Sequence, residues 1–397
     1  MPLFREADDL RGARRIPYPG LNASFYSARQ TLIPFLGAGA SLPSPASASP
    51  RQPDPALVDG VCASIGVTHS TARAIIESAI SAALRVQNGS PAQGSVRQRL
   101  ANSAWPPSAG ELAEAFAQET SYDGPTPPLL EVASYYEYVF NRDPLRAFLS
   151  DIFNAQKTAM TSTHQAVAAA AKFYVETNRN DVQAADYLIV TTNYDGLIEI
   201  ALDRLQAPYA VVTVPREDWN VDVRFHGVQS YLGYTDADYS RFLEKIRSVP
   251  PRDLSSLGKR SKPIVVLYKI HGDLHPPGVP QRPDSVIISD DDYVSYIRQD
   301  ARIGMVPAVV SELMENRALL ILGYRFADWN IRSLYLSVTA MRTAGEQKDW
   351  TISLSFGQQE SAFFEARAIN MVETTLDRFW QGIGLPPSPT PPPGAPL

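Results

Sequence analysis

The sequence predicts an α/β fold: a doubly wound, Rossmann-like parallel sheet with a helical insertion subdomain. Three observations predict it. From Tyr187 onward, short apolar runs recur (YLIVTT, YAVVTV, IVVLYKI, SVIIS, ALLILG, TISLSF), several of them separated by helical spacing, as strands buried on both faces require. A similar run, TLIPFLGAGAS at 31–41, opens the pattern and ends on small residues. Between these two blocks, from about 55 to 178, apolar residues fall at helical intervals instead.

The first element is a buried strand over 31–41 that runs into a small-residue turn. LPSPASASPRQPDP follows and is too rich in Pro, Ser and Ala for a regular element, so a loop is expected. Helical segments then follow at 71–86, 108–119, 129–140 and 144–153, and HQAVAAAAKFYV at 164–175 closes the insertion. The core strands resume at 187 and continue to about 375. They are interrupted by a more polar stretch at 215–262, read as a second insertion. The last twelve residues, PPSPTPPPGAPL, bury too little apolar surface to offset their ordering entropy and are expected to be disordered or extended.

Composition bounds the function. A chain of 397 residues with 44% apolar content can bury a sizeable core. With 36 Lys and Arg against 42 Asp and Glu, the net charge is −6. No overall basic field draws the chain to nucleic acid or anionic membrane, so direct binding to either is not expected. No apolar run approaches the roughly 20 residues of a membrane span. The N-terminus lacks the apolar core of a signal peptide, and a cytoplasmic location is the expectation. Cys62 is the single cysteine, so an intrachain disulfide and a four-cysteine zinc site are both excluded. The five histidines show no metal-ligand spacing, and no metal is expected.

In a doubly wound sheet, ligands bind beyond the carboxyl ends of the strands. GAGAS, TTNYD, HGD and GYRFADWN each stand at such an end. Gly37 and Gly39 would let the backbone approach a phosphate, with N–H groups as donors, although a tight turn also needs small residues. GAGAS lacks the GK[ST] ending of a P-loop and is not the full GxGxxG fingerprint. In TTNYD, Asp195 could simply cap the next helix, but capping requires one such residue and the motif supplies Asn193 as well. His271 suits a general base, and Gly272 leaves room beside it. His226 ranks second as a base. His164 and His275 are read as structural or solvated, and His69 is uninformative. SDDDYVSYI reads as a capped helix start.

The order of these motifs (GAGAS, a helix opening with His164, TTNYD, HGD, then LGYRFADWNIR) resembles the sirtuin superfamily. It looks closest to the prokaryotic sirtuin-like proteins of antiphage defence. The resemblance implies NAD as ligand and one NAD-binding domain over 1–385, followed by the tail 386–397. It further implies that Gly37, Ala38, Gly39 and Ser41 line the pyrophosphate, and that Asn193 and Asp195, in a motif that begins with Thr191 and Thr192, contact the nicotinamide ribose and nicotinamide. Thr192 is counted with the cofactor-binding residues. His271 would be the catalytic base, while Gly323, Tyr324 and Asp328 flank the adenosine end. Sirtuin deacylases usually carry a four-cysteine zinc module and an arginine after the GAG motif; this sequence has neither. The expectation is therefore NAD hydrolysis to nicotinamide and ADP-ribose, gated by homo-oligomer assembly or by a HerA-type hexameric ATPase. Rival readings are an NAD-dependent deacylase or ADP-ribosyltransferase, and a module that senses NAD or ADP-ribose without turnover.

Overall fold

The computed structural model describes residues 3–6, 13–41, 160–216, 221–248, 262–274, 284–303, 317–324 and 348–384, with isolated residues and single helical turns between 133 and 150 and between 307 and 339. Most of the expected helical insertion and the tail 386–397 lie outside the described residues, as do Cys62, His69, His275 and Asp328.

Its centre is a ten-stranded sheet. In chain order the strands are β1 (Leu3–Arg5), β2 (Arg14–Arg15), β3 (Leu32–Leu36), β4 (Tyr187–Thr191), β5 (Tyr209–Thr213), β6 (Asp222–His226), β7 (Val265–Lys269), β8 (Ala318–Leu322), β9 (Trp350–Ser353) and β10 (Asn370–Glu373). Across the sheet the order is β2-β1-β10-β9-β8-β3-β4-β7-β5-β6, parallel throughout except for β6 against β5. The doubly wound reading holds. It gains an antiparallel edge, because the stretch expected to be a polar insertion contributes β6 to the sheet.

Every residue of β3, β4, β5, β7 and β8 is buried. Successive side chains go to opposite faces. Tyr187 and Ile189 enter one apolar cluster, and Leu188 and Val190 enter the other. Both faces are covered, so neither has a use for a polar residue. The first face is packed by α1 (Tyr18–Phe25), α2 (Ser162–Thr177), α3 (Leu197–Arg204) and α8 (Leu376–Ile383). The second receives Tyr296 from α6 (Asp290–Ile303) and Phe364 from α7 (Gln358–Ala366). Two further helices, α4 (Val228–Leu232) and α5 (Asp236–Ser248), follow the edge strand.

SVIIS was expected as a strand, and the structure corrects this: residues 284–288 are buried but carry no regular structure. Their N–H groups are taken by side chains and a loop carbonyl rather than by a ladder. Asp284 accepts from Val286, His271 O from Ile287, and Asp292 from Ile288 and Ser289. No described helix is long and apolar enough to cross a membrane.

β3 is flanked by β8 on one side and by β4, then β7, on the other. The chain therefore winds outward from β3 in both directions, which makes the carboxyl ends of these four adjacent strands the switch point where loops diverge and a ligand can lodge.

Candidate active site at the strand ends

Of the three catalytic candidates, Asn193, Asp195 and His271, the register places Asn193 and His271 side by side. Thr191 pairs with Lys269, so Asn193 and His271 each stand two residues past the same rung of neighbouring parallel strands. Both are buried, at 4% and 1% exposure.

Hydrogen bonds fix the orientation of Asn193. Its Nδ2 donates to Gly37 O at 3.2 Å and to Ser41 Oγ at 3.1 Å, and its backbone N–H donates to Thr191 Oγ1. A flipped amide would set an oxygen against the Gly37 carbonyl, so the orientation is determined by the acceptor. Both amide hydrogens are then used, and Oδ1 is left buried with no partner. The same holds for His271 Nδ1. On the other side of that ring, Nε2 lies 3.3 Å from the Tyr293 hydroxyl, with the tyrosine ring edge-on at 5.4 Å. Buried polar atoms are nearly always hydrogen-bonded, and an orphan calls for an explanation. Here two of them stand at adjacent strand ends.

Burial pushes the His271 imidazole down to about 3, so it is neutral in the folded chain at ordinary pH. The unfolded chain takes up that proton below about pH 6.5. The contribution to stability is therefore full above that pH and is lost as pH falls toward 3. About 2 kcal/mol should be gone at pH 5 relative to pH 7.5. Urea unfolding at the two pH values checks this: the wild-type loss should exceed that of His271→Asn by about that amount, and equal losses would contradict the burial argument.

The remaining motif residues form the support. Asp195 accepts from Ser41 Oγ at 2.8 Å and from the Leu197 N–H at 3.1 Å, so it anchors the GAGAS turn and the start of α3 together. Gly196 stands at the helix cap itself, and Asp195, one residue before it, holds the first helical N–H. Tyr194 is buried, with its hydroxyl donating to Ile287 O. Lys269, fully buried, donates to the carbonyls of Tyr194 and Asp195, to Glu199 at 2.9 Å and to Asp273 at 2.8 Å. Burial opposes its charge, but Asp273 and Glu199 outweigh burial and keep it cationic. Asp273, the last residue of HGD, also pairs with Arg224 of β6. The wall beyond His271 is stapled by ions as well: Arg142 reaches Asp284 at 2.7 Å and Asp292 at 2.8 Å, and Arg216 reaches Asp292 at 2.5 Å.

Several of the residues expected to contact a ligand are engaged within the protein in this conformation. The N–H groups of Gly37, Gly39 and Ala40 donate to Leu322 O, Gly323 O and Gly37 O, so they are not free for a phosphate in this conformation. A Cβ on Gly37 or Gly39 would come within 2.8 or 2.9 Å of Gly323 and Tyr324 atoms, so these glycines admit the β8 loop. Ala38 belongs to the short turn Ala38–Ser41. Tyr324 stacks on Phe35, and its hydroxyl is hydrogen-bonded to Leu36 O at 3.0 Å and to the Thr192 hydroxyl at 2.9 Å, so both side chains are engaged with each other in this conformation. Gly323 has φ of +71°, a backbone state that favours glycine. Gly272 has φ of +82°, and a Cβ there would lie 1.8 Å from Ser285 O. The room beside His271 is filled by backbone. Gly272→Ala should cost at least about 3 kcal/mol in thermal unfolding, by strain and displacement together.

His226 stacks on Tyr209 at the sheet edge, 4.5 Å between ring centres. His164, expected to be structural or solvated, is buried with its Nε2 3.3 Å from Ser41 Oγ. The structural reading fits, since the ring closes a capping box at the start of α2, and its other nitrogen borders the strand-end cluster through Ser41. A surface groove of about 780 Å³ between α2, α3 and α8 is lined by Ala166, Ala169, Arg204 and Trp380, and none of the strand-end residues faces it.

Residues 187–372 match the family model of the SIR2-like domain. The SIR2-like segment starts with the first residue of β4 and ends within β10, and it includes Asn193, Asp195 and His271. This supports a sirtuin-like family and an NAD-related activity. GAGAS lies before the SIR2-like segment, tied to it through Ser41. The chain matches none of the curated proteins.

Proposed function

We propose that this chain is an NAD glycohydrolase that releases nicotinamide and ADP-ribose. The observation that carries the reading is the pair of buried, unpartnered atoms, Asn193 Oδ1 and His271 Nδ1, on neighbouring strand ends. A ribose hydroxyl or an attacking water offers the donor and acceptor these atoms lack. NAD supplies a glycosidic bond whose cleavage builds positive charge on a sugar carbon. Asn193 Oδ1 would accept from the sugar hydroxyl or the water. His271, kept neutral by burial, adds no repulsion to that charge, and its imidazole nitrogen becomes a base worth about 100- to 10,000-fold once opening of the site and the bound sugar relieve the burial that holds it down.

The residues fit the nicotinamide-ribose end of NAD better than the pyrophosphate end, where the GAGAS amides and glycine faces are engaged with β8. Binding there requires the Gly323–Tyr324 loop to part from the turn. A closed site of this kind suits an enzyme that would otherwise drain its host of NAD. We read it as the effector of a prokaryotic antiphage defence system, opened by homo-oligomer assembly or by a HerA-type hexameric ATPase.

Product analysis separates this from its rivals. Purified chain incubated with NAD, alone and with candidate partners, should yield nicotinamide and ADP-ribose in equal amounts. Release only with an acylated peptide, matched by deacylated product, would make it a deacylase. Transfer of ADP-ribose to protein would make it a transferase, and bound but intact NAD would make it a sensor. The single cysteine counts against the deacylase, whose zinc module takes four.

A further inference from the structure

Three side chains behind Asn193, those of Ser41, His164 and Asp195, form a hydrogen-bonded chain whose direction follows from the tautomer of the histidine. The Thr161 N–H donates to His164 Nδ1 at 3.1 Å. The Thr161 hydroxyl, whose hydrogen goes to Ala40 O, lies 2.9 Å from the same nitrogen and could accept from it. The backbone N–H, however, can only donate, so we assign Nδ1 as the unprotonated nitrogen and place the hydrogen of the neutral ring on Nε2. Burial holds the ring neutral, against the pull of Asp195. Nε2–H therefore donates to Ser41 Oγ, 3.3 Å away. Ser41 has one hydrogen and gives it to Asp195 Oδ2, while its remaining lone pair accepts from Asn193 Nδ2. With the histidine donor in place, the serine hydroxyl is filled in one sense only. If Ser41 turned its hydrogen toward Asn193, Asp195 Oδ2 would lose this donor and the amide would face a donor with a donor.

We infer that His164 is a positioning residue for the reaction: the Gly37 carbonyl sets which way the Asn193 amide faces, and His164, through Ser41, holds that amide in place with Oδ1 toward the sugar. The inference rests on the proposed NAD cleavage for its kinetic consequence, but not for its geometry. His164 touches no reacting atom. It lies at the third position of α2, behind Thr161, where its Nδ1 also secures the helix start. A structural role would act through Nδ1 and a positioning role through Nε2, so the two can be tested apart.

Two substitutions each keep one nitrogen's function. His164→Asn retains an acceptor at the Nδ1 position and loses the donor to Ser41; His164→Gln retains a donor at the Nε2 position and loses the helix-start acceptor. If His164 positions Asn193, the Asn variant should release nicotinamide about 100-fold more slowly, in kcat rather than KM, as expected for a catalytic group displaced by about 1 Å. The Gln variant should recover most of that loss despite the lower thermal stability. An Asn variant at least as active as the Gln variant would overturn the inference. On the resting protein, nitrogen-15 NMR should find His164 as the Nε2–H tautomer. An Nδ1–H tautomer would overturn the arrangement. Intact NAD with the wild-type chain under every condition would instead overturn the proposed function, leaving the tautomer to decide the geometry.

Discussion

Lys269→Met should leave the folded chain about 3 kcal/mol less stable, measured by urea unfolding at pH 7.5. Its ammonium is fully buried and holds two carboxylates and two backbone carbonyls. Removing one partner of a buried ion pair costs roughly 3 to 5 kcal/mol, because the other charge stays behind uncompensated. The low end applies because Arg224 still pairs with Asp273. The loss should not be confined to stability. Lys269 ties the carbonyls of Tyr194 and Asp195 to β7, so the loop that carries Asn193 loosens with respect to His271. The variant should lose nicotinamide release even below its unfolding temperature. A fully stable and fully active Lys269→Met would show that the ionic cluster does not hold the site.

The second large effect falls on the reaction. Asn193→Ala and His271→Ala should each reduce nicotinamide release by at least about 100-fold, toward the 10,000-fold limit for a lost general base. Neither change should unfold the chain at pH 7.5. Asn193→Ala deletes a side chain whose Oδ1 makes no bond, and keeps the backbone N–H bond to Thr191. It does release Gly37 O and Ser41 Oγ, at about 1 kcal/mol per bond. His271→Ala removes a buried imidazole that makes a single long side-chain hydrogen bond, to Tyr293. Equal melting temperatures within a few degrees, with activity lost, separate a catalytic from a structural effect. If the double variant is no slower than the worse of the two single variants, the residues act as a unit on the same step.

How far the molecule was legible depended on whether the deciding contact was local. The strands that frame the site, β3, β4, β7 and β8, are uninterrupted apolar runs because both their faces are covered. Their polar successors therefore stood out. The pairing of Thr191 with Lys269, which sets Asn193 beside His271, follows from those strands being neighbours. SVIIS looked like one more strand, but Asp284, Asp292 and the His271 carbonyl capture its amides. β1 and β2 were missed because three and two residues carry no readable period. Gly272 was read as making room for a ligand, and the room goes to Ser285, 13 residues away in a segment with no visible link to it. His164 reads from sequence as structural or solvated, and its contact with Ser41 is not visible there because the two are 123 residues apart. A local signal existed: histidine at the third helical position behind Thr161, where a side chain can reach back to the helix start. The glycines of GAGAS fit a phosphate turn and a close approach to β8 equally well from sequence, and in this conformation the approach is what they serve.

If NAD is cleaved at these strand ends, the two unpartnered atoms face its nicotinamide ribose. A crystal structure with carba-NAD, whose sugar ring oxygen is replaced by carbon so that the bond survives, tests it most directly. The account predicts a sugar hydroxyl or an ordered water within hydrogen-bond distance of both Asn193 Oδ1 and His271 Nδ1, with the Gly323–Tyr324 loop parted from Gly37 and Gly39. A dinucleotide bound elsewhere on the sheet rim, with both atoms still buried and unpartnered, would contradict it.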